Sequence, residues 1–528
     1  SWIENPQAQL YKKKQLMTWA QIREVSDSGL VTVASHSHAL HKLVPANPQG
    51  NVEAAGNNLK YLAEARRYET EAEFRERVRA DLAESRAILQ KVLDKPAVIL
   101  TWPFGAYNEI GVQEARKTGF QMLLTLEAGL AKLTDLMHVK RYYVRPQLFW
   151  AQQFLEELEQ GFQDRTPIRG VQLDLDLIVN PASYEESDHN LGLLIERLVK
   201  LGVNTVFLQG FADPEGNIKS VYFPNRVLPV TMDFLSHAVN RIRAREIKVF
   251  VWMPTLSFLV PDKAAKEHLY VQEYKHGRLG QTTSWYTRLS PAVPESLKIA
   301  RQIFQDLAAH VHFDGILFQD DAYLTDEEDM NPVALSRFQA KHGLSPSPVE
   351  LSEHRAHQAE WVAFKTQTIS DFLAQLTQTV KIYRPEAKFA RNIYSEVITN
   401  PEAKNWFAMD LDDYLLRYDY TVIMAYTKME DVGGWGAQKK WFDTLLQAVL
   451  SREARQKVIF KVQTYDWKTN RWAADDDIVR QLNYLLANGA RHAAYYPDDV
   501  FADKPSIEAL APIISGRDEV TKIRISPE

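Results

Sequence analysis

The chain contains no cysteine among its 528 residues. Disulfides, thiolate metal sites and a cysteine nucleophile are therefore excluded. No apolar stretch is long enough to span a lipid bilayer. The chain also has no excess of basic residues. It contains 62 Lys and Arg and 68 Asp and Glu, which gives a net charge of −6. This balance argues against a nucleic-acid partner and fits a neutral or cationic ligand.

The beginning of the chain has neither an initiator Met nor a basic and apolar leader, since it starts at Ser1. We therefore expect a piece of a longer parent protein.

Aromatic residues, in contrast, are plentiful, with 12 Trp and 22 Tyr. Their rings suit the flat C–H faces of sugars, although ordinary packing in a hydrophobic core is an equally good explanation for any single ring.

Eight short apolar segments of the region 168–520 each end in polar, acidic or aromatic residues. We predict strands at 171–178, 205–209, 248–253, 315–319, 388–392, 421–426, 458–463 and 493–496. Helical patterns lie between most of them. Eight such repeats predict a complete (β/α)8 TIM-type barrel, whose chemistry lies at the carboxyl ends of the strands. A doubly wound sheet is the alternative, but no glycine-rich phosphate fingerprint supports it.

Residues 1–160 read as a partial α/β domain. Strands are predicted at 30–34, 97–102, 121–126 and 142–145, with an amphipathic helix over 70–93. Strands that alternate with helices indicate a parallel sheet. Three or four strands do not close a barrel, so we expect a truncated (β/α) domain before the complete one.

Two adjacent carboxylates, Asp320 and Asp321, follow the apolar run Ile316-Leu-Phe318. A glycosidic bond is cleaved with the help of a carboxylic acid that protonates the leaving oxygen. Because side chains alternate along a strand, the two carboxylates should point in different directions. Their mutual repulsion should raise one pKa, as a general acid requires. A solvated turn is the alternative explanation for such a pair.

The other strand ends carry an acidic, amide and aromatic set of the kind that binds sugars. The candidate substrate-binding residues among them are Asp174, Asp176, Arg391, Asn392, Tyr426 and Tyr495. Asp174 and Asp176 are two apart, so both should lie on one face of the first strand. The set lacks the ligands that a catalytic metal needs, so no cofactor is expected for the barrel.

A histidine cluster, His36, His38 and His41, follows the first predicted strand directly. Imidazoles in such a loop are candidate ligands of zinc or another divalent metal. A metal ion also needs a further protein ligand, and the preceding segment offers no carboxylate at a strand end. We therefore expect an incomplete metal site.

The first half of the chain resembles NodB-type polysaccharide deacetylases. The run Ser35-His-Ser-His-Ala-Leu-His41 is similar to the metal-binding motif of that family in its PgaB form, and Trp102-Pro-Phe-Gly105 matches a further stretch. The resemblance implies that His36 and His41 bind a divalent metal, namely zinc, nickel, cobalt or iron. The first deacetylase motif, a strand ending in Asp-Asp, is expected to precede Ser1.

The second half resembles the hydrolase domain of the PgaB family, glycoside hydrolase family 153. Matching stretches include Arg288-Leu-Ser-Pro291, Phe313-Asp-Gly-Ile-Leu-Phe318, Ala390-Arg-Asn-Ile393 and Tyr495-Tyr-Pro-Asp498. The resemblance implies cleavage of partially de-N-acetylated poly-β-1,6-N-acetylglucosamine (PNAG) during biofilm export. It assigns the catalytic acid to Asp320, and glycan contacts to Asp321, Asp326 and Trp467. It also implies a periplasmic location, outer-membrane association of the parent as a possible lipoprotein, and an export porin as partner. A monomer is expected.

Three functions stay open at this point. The first is endo-acting hydrolysis of PNAG by the barrel, fused to a deacetylase remnant. The second is a metal-dependent PNAG N-deacetylase in which the barrel binds the glycan, and the third is a non-catalytic glycan-binding protein. Analysis of the glycan after incubation with the protein distinguishes them. Shortened chains indicate the hydrolase, released acetate indicates the deacetylase, and unchanged glycan that is nevertheless bound indicates the binding protein.

Overall fold

The computed structural model describes residues 2–4, 10–12, 16–141, 151–159, 166–213 and 217–515. The chain divides into two compact units, one formed by Ser1–Arg165 with Val380–Glu386 and the other by Thr166–Thr379 with Ala387–Glu528. The predicted end of the first domain, residue 160, lies outside the described residues. Across the described part of the chain, no helix combines the length and apolar character needed to cross a membrane.

The second unit contains a closed barrel of eight parallel strands. They are β1 (Arg169–Leu173), β2 (Thr205–Gln209), β3 (Lys248–Met253), β4 (Gly315–Phe318), β5 (Lys388–Tyr394), β6 (Tyr420–Ala425), β7 (Val458–Gln463) and β8 (His492–Tyr496). Each strand pairs with the next one along the chain, and β8 pairs with β1 through Ala493–Arg169 and Tyr495–Val171. The predicted (β/α)8 architecture is confirmed.

The barrel strands are buried on both faces, which explains their nearly continuous apolar sequences. Every residue of β2, β4 and β7 is buried. Parallel strands covered by helices on one side and by a packed interior on the other show this pattern. Gly315 allows β4 to approach its neighbours, because a Cβ atom there would lie 2.4 Å from the Phe250 ring and 2.6 Å from the Lys388 carbonyl oxygen.

Helices follow the strands around the barrel. The longer ones are Tyr184–Leu201, Leu235–Arg243, Pro294–His310, Gln358–Tyr383, Trp435–Leu450, Asp475–Ala487 and Ile507–Ile514. Shorter helices are Pro332–His342, Pro348–Ser352, Glu396–Thr399, Lys404–Phe407 and Leu411–Arg417, with 3-10 turns at Leu175–Leu177, Lys263–Leu269 and Pro401–Ala403. The paired strands outside the barrel are Phe211–Ala212 with Ser220–Val221, Gln272–Lys275 with Arg278–Gln281, and Tyr465–Asp466 with Arg471–Trp472.

One strand prediction was too long. The segment predicted as strand 171–178 leaves the barrel after Leu173 and enters the 3-10 turn Leu175–Leu177. The alternation of a strand ends there, so Asp174 and Asp176 do not share a face, contrary to the prediction. The physical reason is that Asp176 receives hydrogen bonds from Gln209 at the end of β2 and from the segment that follows it, and these bonds hold the turn.

The first unit has a small parallel pair, Ile99–Thr101 with Met122–Leu124. Its helices are Trp19–Asp27, Glu71–Leu93, Glu109–Lys117 and Ala151–Glu159, with a 3-10 turn at Pro103–Gly105. Its antiparallel pairs are Trp2–Glu4 with Leu10–Lys12, Leu43–Pro45 with Val52–Ala54, and Tyr61–Leu62 with Arg67–Tyr68. The strand predicted at 30–34 is wrong, because only Ser35 bridges to Leu100 and no ladder extends from it. The strand predicted at 142–145 lies outside the described residues.

Candidate active site

Asp320 lies in the turn that follows β4, at the end of the barrel where the carboxyl ends of the strands meet, which we call the barrel mouth. The Tyr394 hydroxyl, at the end of β5, donates a hydrogen bond of 2.6 Å to its Oδ2. Burial raises the pKa of Asp320 above its ordinary value and outweighs the opposing effect of Tyr394. The neighbouring charge of Asp321 contributes in the same direction but less, so burial, rather than the predicted repulsion, is the main cause. A carboxyl group in this state can keep the proton that a general acid donates.

Asp174 is a second carboxyl group with a raised pKa at the barrel mouth. It follows β1 directly, and its Oδ1 accepts a hydrogen bond of 3.1 Å from the Tyr496 hydroxyl. Burial, and then the negative charges of neighbours that include Asp176, raise the pKa of Asp174 to about 7. The predicted residue therefore lies in an environment that disfavours its charge.

A buried lysine that sequence reasoning missed lies inside the barrel. Lys461 is at the centre of β7 and is 1% exposed. Its Nζ donates to Gln172 Oε1 on β1 at 2.6 Å and to Asn392 Oδ1 on β5 at 3.0 Å. Burial lowers the pKa of Lys461 to about 7, although the charges of Asp320 and Asp174 act in the opposite direction. The available signal was a single charged residue within the apolar run Val-Ile-Phe-Lys-Val.

Tyr426 and Tyr496 lie beside Lys461, with ring centroids 5.7 and 5.9 Å from its Nζ, and two tryptophans pack against these rings. The Trp467 ring centroid lies 6.0 Å from that of Tyr426 and 5.9 Å from that of Tyr496, while Trp252 lies 5.6 Å from Tyr496. Burial raises the pKa of Tyr426 well above its ordinary value, and the charges of Asp320 and Asp174 add to this effect, so Tyr426 lies near both. Trp467 is 44% exposed. The site thus combines half-buried carboxyl groups with an accessible aromatic surface.

Asp321 has a different position from the one predicted. It is fully buried, and its two carboxylate oxygens accept hydrogen bonds from the backbone N–H groups of Thr255, Leu256 and Ser257 and from the Thr255 hydroxyl, at 2.7–3.0 Å. A glycan contact would require the carboxylate to leave these donors. The geometry assigns Asp321 to holding the loop after β3.

Two further predicted contact residues are directed away from the mouth. Tyr495 is fully buried, and its hydroxyl donates to Asp498 Oδ2 at 2.8 Å. Arg391 is 1% exposed, packs 4.1 Å from the Tyr414 ring centroid and donates to the Ala322 carbonyl oxygen at 3.0 Å. Both predictions of direct substrate contact conflict with this burial, because alternate strand residues face the surrounding helices. Arg391 instead supports the turn that carries Asp320.

Three predicted residues have partners within the protein. Asn392 is 2% exposed, and its Oδ1 accepts a hydrogen bond from Lys461 inside the barrel. The Asp176 carboxylate accepts from Gln209 Nε2 at 2.9 Å, the Asp213 N–H at 3.0 Å and the Tyr222 hydroxyl at 2.6 Å. Asp326, whose side chain is 31% exposed, pairs with Arg355 at 3.1 Å. Asp326 and Asp176 are partly exposed, whereas Asn392 is buried, so the two carboxylates are more accessible to a ligand than the amide.

The predicted metal ligands His36 and His41 converge in the first unit, with ring centroids 4.9 Å apart. His36 Nδ1 lies 2.8 Å from the Thr101 carbonyl oxygen, an arrangement that directs Nε2 to a metal. Burial and the neighbouring His36 lower the pKa of His41, which favours the neutral ligating form. These two imidazoles fit a divalent ion, but the described residues contain no group of three ligating side chains around them.

Comparison with known proteins supports both halves of this description. The model of Hypothetical glycosyl hydrolase family 13 matches residues 172–496, and the Polysaccharide deacetylase model matches residues 2–123. The glycoside hydrolase domain of PgaB (BpsB) from Bordetella bronchiseptica is 34% identical, over 66% of this chain and 99% of that domain, with a TM-score of 0.61. The fold and the site define a glycoside hydrolase barrel joined to a polysaccharide deacetylase domain.

The relatives extend over nearly the whole chain. The poly-β-1,6-N-acetyl-D-glucosamine N-deacetylase of Escherichia coli K12 is 33% identical over 534 residues, which cover 98% of this chain and 78% of the relative. The BpsB deacetylase domain from Bordetella bronchiseptica is 39% identical over 27% of this chain and 55% of that domain, with a TM-score of 0.26. The chain belongs to the PgaB family of poly-β-1,6-N-acetyl-D-glucosamine N-deacetylases.

Proposed function

We propose that the barrel hydrolyses partially de-N-acetylated PNAG, with Asp320 as the general acid. The observation that carries the proposal is a carboxyl group whose pKa is raised by burial, held by Tyr394 at the mouth of a glycoside hydrolase barrel. The substrate is suggested by the name of the Escherichia coli relative.

In the proposed reaction, protonated Asp320 donates its proton to the glycosidic oxygen as the bond to the leaving sugar breaks. A water molecule adds to the anomeric carbon in place of the leaving sugar, and the proton that it releases restores the acid form of Asp320, so the net reaction consumes one water molecule. Tyr394 fixes the orientation of the carboxyl group through its hydrogen bond to Oδ2. Asp174 is the second carboxyl group of the mouth, and we assign to its ionised form the stabilisation of positive charge that develops on the sugar ring. Its pKa of about 7 allows both forms near neutral pH.

We also propose that the site favours chains that carry free amines. Deacetylated glucosamine is cationic near neutral pH, and an ammonium group forms strong hydrogen bonds to carboxylates. Asp326 and Asp466 are the accessible carboxylates for this contact, whereas Asp498 is buried and paired with Arg197 at 2.8 Å. Trp467 would pack against a neighbouring sugar ring through its exposed face.

For the first unit, the polysaccharide deacetylase match supports metal-dependent N-deacetylation by the full-length parent. His36 and His41 would hold the ion, which would activate a water molecule for attack on the acetyl group. Zinc, nickel, cobalt and iron all suit imidazole ligands. A periplasmic location, outer-membrane association and an export porin as partner are further proposals from the family resemblance, as is a monomeric state.

The test is Asp320→Asn, which keeps the size of the side chain and removes the acidic proton. Cleavage of partially deacetylated PNAG, followed by oligosaccharide analysis, should fall roughly a hundred- to ten-thousand-fold, while glycan binding is retained. Asp314→Asn is the matched control, since Asp314 directly precedes the opposite end of β4 and its side chain is 28% exposed. Cleavage by Asp320→Asn at the wild-type rate would refute the assignment, and release of acetate without shortened chains would favour the deacetylase alternative.

A further inference from the structure

The interior of the barrel holds a lysine amine directly beneath the carboxyl groups of the mouth, and this amine is cationic below its pKa of about 7. Lys461 reaches from β7 to Gln172 on β1 and to Asn392 on β5, two strands away in each direction. A side chain that contacts strands on both sides of its own can do so only from inside a closed barrel. The ammonium group therefore lies in the barrel interior rather than against the helices.

The layer that contains Lys461 is one step below the catalytic layer. Asp174 comes two residues after Gln172, and Tyr394 comes two residues after Asn392. Residues two apart on a strand lie on the same face, and Tyr394 holds Asp320. The strand geometry thus stacks the Gln172–Asn392–Lys461 layer under the two carboxyl groups.

The surroundings of Lys461 leave its charge without a direct counterion. Its hydrogen-bond partners are two neutral amides, both 2% exposed. Within the described part of the chain, no carboxylate oxygen forms an ion pair within 4.0 Å of Nζ. A buried ammonium group is costly unless opposite charge lies nearby, and the carboxyl groups of the mouth are the acids that act on it, with Asp320 first and Asp174 second.

Ionisable side chains of several barrel strands surround Lys461 and the two carboxyl groups above it. Tyr426 and Tyr496 present their rings to Nζ at 5.7 and 5.9 Å. Around Asp320 lie Tyr394, Tyr286 and Asp321. The groups around Asp174 are Tyr496, Asp176, Asp213 and Asp498. Among the described residues named here, the ionisable groups that face the two carboxyl groups besides Lys461 are tyrosines and further carboxylates.

We propose that Lys461 is a positioning residue whose ammonium group, held by Gln172 and Asn392, sets the pH range over which the carboxyl groups of the mouth work. The inference rests on the proposed hydrolase function. A positive charge favours the ionised form of a neighbouring carboxyl group. In the pH range below about 7, where Lys461 is cationic, loss of the charge should therefore let the acid keep its proton to higher pH.

The experiment compares Lys461→Gln with Lys461→Arg. Gln retains hydrogen-bonding capacity and loses the charge, whereas Arg retains the charge. The alkaline limb of the pH profile of kcat/KM should move upward by about one pH unit in the Gln variant and stay near the wild-type position in the Arg variant. Circular dichroism and thermal melting establish that each variant is folded.

Several results would overturn the proposal. One is an equal loss of rate in the Gln variant at every pH with the limb unmoved, which is the result of a purely structural role. Another is the same limb shift in a folded Arg variant. Failure of the Gln variant to fold would also overturn it, because the ammonium group would then serve the fold itself.

A second readout separates this proposal from the proposed function. If wild-type protein cleaves no glycan at any pH, the hydrolase assignment fails on its own. The pH dependence of glucosamine-oligomer binding, measured by isothermal titration calorimetry, still reports the protonation of Asp320 and Asp174 without turnover. An unchanged binding profile in the Gln variant would then refute the role of Lys461.

Discussion

Asp320 and Asp321 are adjacent in the sequence but have different roles in the structure, and the same substitution at each position tests this difference. Asp321→Asn changes one atom in a fully buried side chain that accepts hydrogen bonds from three backbone N–H groups and one hydroxyl. The same substitution at Asp320 is the matched control. Because burial raises the pKa of Asp320, its charge is disfavoured in the folded protein, and its removal should leave stability unchanged or slightly increased.

The magnitude follows from the contacts. An Asn carbonyl oxygen in the place of Oδ2 keeps the backbone N–H groups of Thr255, Leu256 and Ser257 but loses the charge assistance, which roughly doubles the strength of such bonds. Over three backbone donors this costs about 2–3 kcal/mol. Asp321→Ala leaves these donors buried without an acceptor, at about 1–3 kcal/mol each, or about 3–9 kcal/mol in total.

The assay is urea denaturation followed by circular dichroism, with glycan binding measured on the same preparations. Asp321→Asn should lower the unfolding midpoint, and the loosened loop after β3 should reduce cleavage as a secondary effect. An unchanged midpoint with weakened glycan binding would refute this role and would support the direct glycan contact predicted from the sequence.

Further predictions concern the accessible residues and the first unit. Trp467→Ala should weaken binding of acetylated and deacetylated oligomers alike, by about tenfold, and an effect on only one class in calorimetry would contradict ring stacking. Asp326→Asn should weaken only amine-bearing oligomers, and a loss that does not shrink in high salt would contradict the charge argument. His138 hydrogen-bonds Glu109 and Asp135, and these bonds raise its pKa to about 9. Its stabilisation is therefore present below the unfolded value of 6.5 and lost as pH rises through 9. His138→Gln should lower the free energy of unfolding by about 1–2 kcal/mol at pH 6 and by little at pH 10, as measured by chemical denaturation. Equal losses at the two pH values would contradict a role for the protonated imidazole.

The local sequence pattern was sufficient to predict the barrel. The bounds predicted for β2, β3 and β7 agree with the structure, because a strand buried on both faces leaves a continuous apolar run that polar residues end. The same logic placed Asp320 at a strand end. It failed where a local run continued past the end of β1, since the 3-10 turn depends on partners at the end of β2 and directly after it.

The sequence by itself thus determined the barrel architecture and the strand ends that carry the carboxyl groups, since both follow from the order of apolar and polar residues. Only the tertiary structure decided which of these side chains the mouth exposes. Asp321 finds its partners 64–66 residues earlier in the chain, and Lys461 finds Gln172 289 residues away and Asn392 69 residues away. Closure of the barrel brings these distant residues together, so the spacing of residues within any one segment cannot predict their contacts.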